Sequence, residues 1–150
     1  QLDGYRIEEG KSIETDLTRA VGKILTLLKE IEVFEGDRIK KIRERLNASL
    51  AENIGTENID KNRFEQEIIF YLEKLDINEE KVRLKKHCEY FIEKIDSPSP
   101  NGKILNFIAQ EIGREINTIG SKANDASIQK LVVMMKDELE KIKEQSLNVL

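Results

Sequence analysis

The sequence predicts an all-α fold, a long helical hairpin followed by a small helical bundle with coiled-coil-like seams. Three observations carry that expectation. Charged residues make up 36% of the 150 positions, only two prolines interrupt the chain, and nearly every segment spaces its apolar residues by three and four. Such spacing gathers apolar side chains on one face of a helix, whereas a half-buried strand would alternate them by two.

The first helix is expected over about Glu8 to Phe34, where Leu17, Val21, Ile24, Leu28 and Ile31 follow a 4,3,4,3 rhythm suited to coiled-coil packing. A second, about Gly36 to Asn53, offers Ile39, Ile42, Leu46 and Leu50, and the two read as a hairpin. The stretch NIGTENIDKN breaks it with Gly55 and an Asn and Asp cluster. The third helix, about Asp60 to Leu75 with Asp60 as N-cap, is expected to bury Phe64, Ile68, Tyr71, Leu72 and Leu75. The fourth, about Asn78 to Ile95, carries Leu84, Cys88, Phe91 and Ile95 and stops before DSPSPNG. A fifth runs through NFIAQEIGREINTIGSKAND, Asn106 to Asp125. The last, about Ser127 to Asn148, places Ile128, Val132, Met135, Leu139, Ile142, Ser146 and Val149 at 4,3 spacing, a seam for a partner helix in this chain or in another subunit. Two units follow, the hairpin over 1–58 and a helical domain over 59–150.

A chain of this length buries a core without covalent staples. Its one cysteine, Cys88, excludes an intramolecular disulfide and a zinc site of several thiolates, and fits a reducing compartment. No apolar run reaches the ~18 residues of a membrane helix and no secretory segment is visible, so a cytoplasmic protein without a membrane partner is expected. The opening QLDGYRIEEG, without Met, reads as the interior of a longer polypeptide. Net charge is −4 with pI about 5.3, which argues against nucleic acid on average. Averages hide patches, and DRIKKIRERL and KVRLKKH are locally basic. Both also suit solvated helix faces with i,i+4 pairing.

Glu115 stands where an apolar residue belongs. At about 100° per residue, with Ile108 as zero, Ile104, Leu105, Ile112, Ile116 and Ile119 fall between roughly −40° and +80°, and Glu115 at about −20°. Glu111 and Lys122 share the same edge. An unpaired charge there costs several kcal/mol, so each acid needs a cation, a metal, hydrogen-bond donors or a proton. On the fourth helix Asp76, Glu80, Arg83 and His87 follow at steps of 4, 3 and 4, and Arg63 and Glu67 hold the matching flank of the third. Three helices could thus direct acids, arginines and one imidazole into a single groove. Mg²⁺ or Mn²⁺ accepts such donors and activates water. A buried ion-pair lattice that fixes helix register accounts for the same pattern. One histidine and no glycine-rich phosphate loop leave little else: the carboxylates are the chemistry available.

Three segments then become recognisable as motifs: N-R-x-E-Q-E at Asn62 to Glu67, D-I-x-E-E-x-x-R-L at Asp76 to Leu84, and R-E-x-N-T-x-x-S-K at Arg114 to Lys122. With the flanking NRFEQEIIFYLEKLDINEEKVRLKKH and GKILNFIAQEIGREINTIGSKANDASI, the chain closely resembles the C-terminal domain of the YicC/YloC family of bacterial endoribonucleases. EEGKSIETDL resembles the middle of such proteins, so the likeness covers essentially all of the chain and leaves out the family's N-terminal domain. The resemblance implies divalent-metal-dependent cleavage of single-stranded RNA in the cytoplasm by a homo-oligomer that encloses its substrate, a hexamer among the candidates. It implies catalytic duty for Glu111, Glu115, His87, Arg114 and Lys122, and RNA binding by Arg63, Arg83, Asn117, Thr118 and Ser121. Metal ligation would fall to Asp76, Glu80, Glu111 and Glu115, with Mg²⁺ or Mn²⁺ as cofactor. Gly113 departs from the family pattern, in which an Asn is expected, and so removes an amide that could orient a ligand. A rival expectation makes this piece a helical oligomerisation or RNA-clamp scaffold, with catalysis in, or shared with, the absent N-terminal domain.

Overall fold

The computed structural model describes the backbone of residues 2–54 and 61–149, and the side chains of 10–49, 52 and 61–149. Five helices make up these residues: α1 (Leu2–Ile54), α2 (Lys61–Lys74), α3 (Asn78–Ile95), α4 (Gly102–Ala123) and α5 (Ala126–Ser146). The all-α expectation holds among the described residues. The expected break at Gly55, the Asp60 cap and the boundary at 58/59 lie outside them.

The hairpin does not form. Its two halves are one continuous helix of 53 residues. A lone glycine costs a helix about 1 kcal/mol, and Gly36 has neither a proline nor a turn cluster beside it to turn that cost into a break. Glu35 and Arg38 also pair across it at 2.8 Å, i to i+3.

The 4,3 stripe of α1 is buried as expected, but its partners are α5 and α3 of the same chain. Leu17, Val21, Ile24, Leu28 and Ile31 join one core with Leu84, Phe91 and Ile95 of α3, Ile108, Ile112, Ile116 and Ile119 of α4, and Ile128, Met135 and Ile142 of α5. Each such side chain contributes about 1.5–3 kcal/mol on burial. Both seams are therefore spent inside the chain and say nothing for a second subunit. Met134 is exposed beside buried Met135, and Cys88 is the buried small hydrophobe its place in the stripe implied.

Helix α2 is the least embedded. It packs on α1, burying Ile68 fully and leaving Tyr71 exposed, with Phe64, Leu72 and Leu75 half-buried. Helices α4 and α5 are joined by two residues with opposite capping tasks. Asn124 takes the left-handed conformation at φ 45° and ψ 44° that ends α4. Asp125 then accepts from Ile128 N at 3.0 Å to start α5. So short a link makes the two helices antiparallel neighbours, and the small residues Gly113 and Gly120 lie on the face of α4 that meets α5. A Cβ at either would stand 3.0 or 3.1 Å from Leu139 or Val132.

Candidate functional site: a buried ion-pair node

Helices α3 and α4 meet along the flank where the sequence placed its acids. Glu80 and Glu115 are 3% and 4% exposed, and both are neutralised. Arg83 Nε donates to Glu115 Oε1 at 3.0 Å, while Lys122 Nζ donates to Glu80 Oε1 at 2.8 Å and lies 3.4 Å from the main-chain oxygen of Asp76. Arg83 also reaches Glu79 at 3.3 Å and Glu80 at 3.8 Å. The answer to the acid in an apolar stripe is thus a pair of cations, one from each helix. The hydrogen bond that Arg83 donates to Glu115, and then the charge of that carboxylate, push the Arg83 guanidinium pKa up, so this arginine is a permanent cation. Its side chain is 47% exposed, so part of the guanidinium faces solvent. Glu80 Oε2 is buried without a hydrogen-bond partner among the described residues.

The remaining expected residues do not converge on this node. Asp76 is exposed, and its Oδ1 accepts from Asn78 N at 2.9 Å in the turn that leads into α3. Glu111 is loosely placed 3.9 Å from Arg114. His87 is half-buried one turn along α3 from Arg83. Arg63 pairs at 3.9 Å with Glu67 on its own helix, so α2 brings no acid to the α3–α4 flank through that pair. Thr118 and Ser121 donate back to the main chain of α4, to Arg114 O and Thr118 O, both at 3.0 Å. Arg114, Asn117 and Thr118 line a cleft toward α5 instead. Gly113 faces that cleft as well, so an amide there would not have reached the acidic flank.

A divalent cation does not fit the node as this chain builds it. Among the described residues no three His, Cys, Asp or Glu side chains gather where a metal could be held. The two buried carboxylates already face Arg83 and Lys122, whose charge would repel the ion.

Sequence periodicity misses the second polar centre. Arg38, which the sequence places in a basic surface patch, is 2% exposed. Its Nε donates to Ala123 O at 2.6 Å, its Nη2 donates to Leu75 O and to Lys122 O, the latter at 3.2 Å, and Nη1 pairs with Glu35 at 2.8 Å. Lys81 closes the cluster against Glu32 at 2.8 Å and Glu35 at 3.8 Å. One α1 arginine thereby satisfies carbonyls at the C-terminal ends of α2 and α4, where a cation also complements the helix dipole. Through Lys122 O it fixes the residue whose ammonium holds Glu80.

The fold and site define an all-helical, charge-stapled domain with no nucleotide-binding loop in its sequence. The family described as Endoribonuclease YicC-like, C-terminal, matches residues 31–150, and the chain belongs to it. It is 39% identical over 150 residues to a protein of Clostridioides difficile (strain 630) named Probable endoribonuclease YicC, covering 99% of this chain and 51% of that one. A Haemophilus influenzae protein of the same name is 35% identical over 92 residues, covering 61% of this chain and 32% of its own length. The chain thus spans about half the length of the first relative. No described helix is long and apolar enough to cross a membrane.

Proposed function

We propose that this chain is the C-terminal helical part of an endoribonuclease that cleaves single-stranded RNA. Membership of the family over residues 31–150 carries the reading, because the residues of the buried node are those of the motifs. In it Arg83 is held by Glu115 and offers its exposed edge to a phosphate oxygen or to charge developing on one, a role for which a pre-oriented guanidinium suits. Lys122 fixes Glu80, whose second oxygen is the node's uncommitted acceptor among the described residues. Glu111 and His87 stand one helical turn from Glu115 and Arg83 rather than in the node, and Arg114 lies in the cleft toward α5. A requirement for Mg²⁺ or Mn²⁺ is proposed for the full-length protein only, with ligands from beyond these acids. Cytoplasmic location and a homo-oligomer, hexamer included, are part of the same proposal.

A second reading is favoured by the pairing of both buried acids. Here the chain is an RNA-clamp scaffold and catalysis is shared with the rest of the protein. The test is cleavage of labelled single-stranded RNA by full-length protein, with and without EDTA. Wild type is expected to cut, and Arg83→Gln to lose at least tenfold. No cleavage by wild type sinks the enzymatic reading, and full activity of Arg83→Gln leaves the scaffold.

A further inference from the structure

We propose that the cleft between α4 and α5 is a second RNA contact, binding phosphodiester backbone through Arg114, Lys136 and Lys143. This rests on the RNA-directed function above and adds to it a surface that lies about 150° round α4 from Glu115. The cleft encloses about 520 Å³.

Its charge is only loosely paired, unlike that of the node. At the node each cation is locked at 2.8 or 3.0 Å to a buried carboxylate. In the cleft Arg114 stands 3.9 Å from Glu111 and Lys143 3.9 Å from Glu140, and Lys136 has no ion pair among the described residues. Three cations thus face one lining carboxylate, Glu140, on a chain whose net charge is −4. Counterion release grows with the number of phosphates neutralised, so a cleft of two loosely paired cations and one unpaired among the described residues has affinity to offer RNA.

The floor and walls suit the same ligand. Gly113 keeps the floor low: a Cβ there would stand 3.0 Å from Leu139 Cδ2, pushing that side chain aside, and would come into contact with Lys143 Nζ at 4.0 Å. The Gln110 and Asn117 amides line the walls with no side-chain hydrogen bond among the described residues, free to donate to phosphate or base edges.

The probe is a short labelled oligouridylate bound by the full-length protein in EDTA across a salt series. Lys136→Gln/Lys143→Gln is expected to weaken binding about tenfold and to make the log K against log salt slope shallower by about 0.7 for each phosphate no longer neutralised. Lys29→Gln/Lys40→Gln, an equal charge change on exposed α1 positions, should stay within about twofold, and Lys136→Arg/Lys143→Arg should bind as wild type. Unchanged affinity and slope in the Gln pair, an equal weakening in the α1 control, or no binding by wild type overturns the proposal. Cleavage is read separately: RNA bound through the cleft but never cut would sink the enzymatic reading and leave this one standing.

Discussion

Lys122 Nζ holds Glu80 Oε1 at 2.8 Å while the Lys122 carbonyl accepts from Arg38 at 3.2 Å, so one residue ties α4 to both α3 and α1. The two bonds divide the work. The ammonium neutralises a carboxylate that is 3% exposed, and the main chain is fixed by a guanidinium that is 2% exposed. Register between the three helices therefore depends on polar groups as well as on the aliphatic core.

Removing Lys122 alone should leave Glu80 buried beside only a distant Arg83, at 3.8 Å. Lys122→Met is expected to destabilise by about 1–3 kcal/mol, below a fully buried pair because Lys122 is itself partly exposed. Adding Glu80→Gln should recover part of that stability. A double-mutant cycle by urea unfolding measures the coupling, and strictly additive effects would show that the pair is not an energetic unit.

Arg38→Lys keeps the charge and loses the fork. A lysine cannot reach Leu75 O, Lys122 O and Ala123 O together, so two or more buried carbonyls would lose their donor at roughly 1–3 kcal/mol each. We expect a clearly lower midpoint in thermal unfolding, with amide exchange rising first at the C-terminal ends of α2 and α4. Protection unchanged at Leu75 and Ala123 would show that the capping is idle.

What is legible in the sequence follows from what a period can encode. Phase along single helices places Glu115, Glu80, Arg83 and Lys122 on apposed flanks, and the structure joins them. Phase does not say which neighbour covers the other side of α4, so it could not tell that Arg114, Asn117 and Thr118, to which the resemblance gives catalytic and RNA-binding duty, lie toward α5. Nor can it show that Gly36 is tolerated inside a helix, since a glycine is a break only when its surroundings agree. Arg38 is beyond its reach for a different reason: its acceptors come from residues 37 and 84 or 85 positions away. The one local sign is Glu35 three residues before it.

Gly102 should tolerate no side chain. A Cβ there would lie 2.7 Å from Val149 O and 2.9 Å from Ser146 O, both main-chain atoms that cannot swing away. Gly102→Ala is expected to destabilise by about 1–3 kcal/mol, although alanine is the better helix former. Gly113→Ala meets the movable Leu139 side chain instead and should change stability by less than about 1 kcal/mol. Equal melting temperatures for the two variants would refute the difference between backbone and side-chain neighbours.

Cys88 should be chemically silent while the protein is folded. Burial, and next the charge of Glu89, push its thiol from 9.0 up to about 12. Thiolate is the reactive form, so a disulfide-exchange reagent at neutral pH should label Cys88 only after denaturant opens the core. The sign of the pH effect follows from proton counts. Between about 9 and 12 the unfolded chain releases this proton and the folded chain keeps it, so the unfolded state binds fewer protons and stability falls as pH rises. Below about 9 both states hold the proton and Cys88 contributes no slope. Cys88→Ala should therefore flatten the decline in stability above pH ~9 while leaving a cavity penalty that does not vary with pH. Rapid labelling of the native protein, or a Cys88→Ala alkaline profile parallel to wild type, would contradict a sealed thiol.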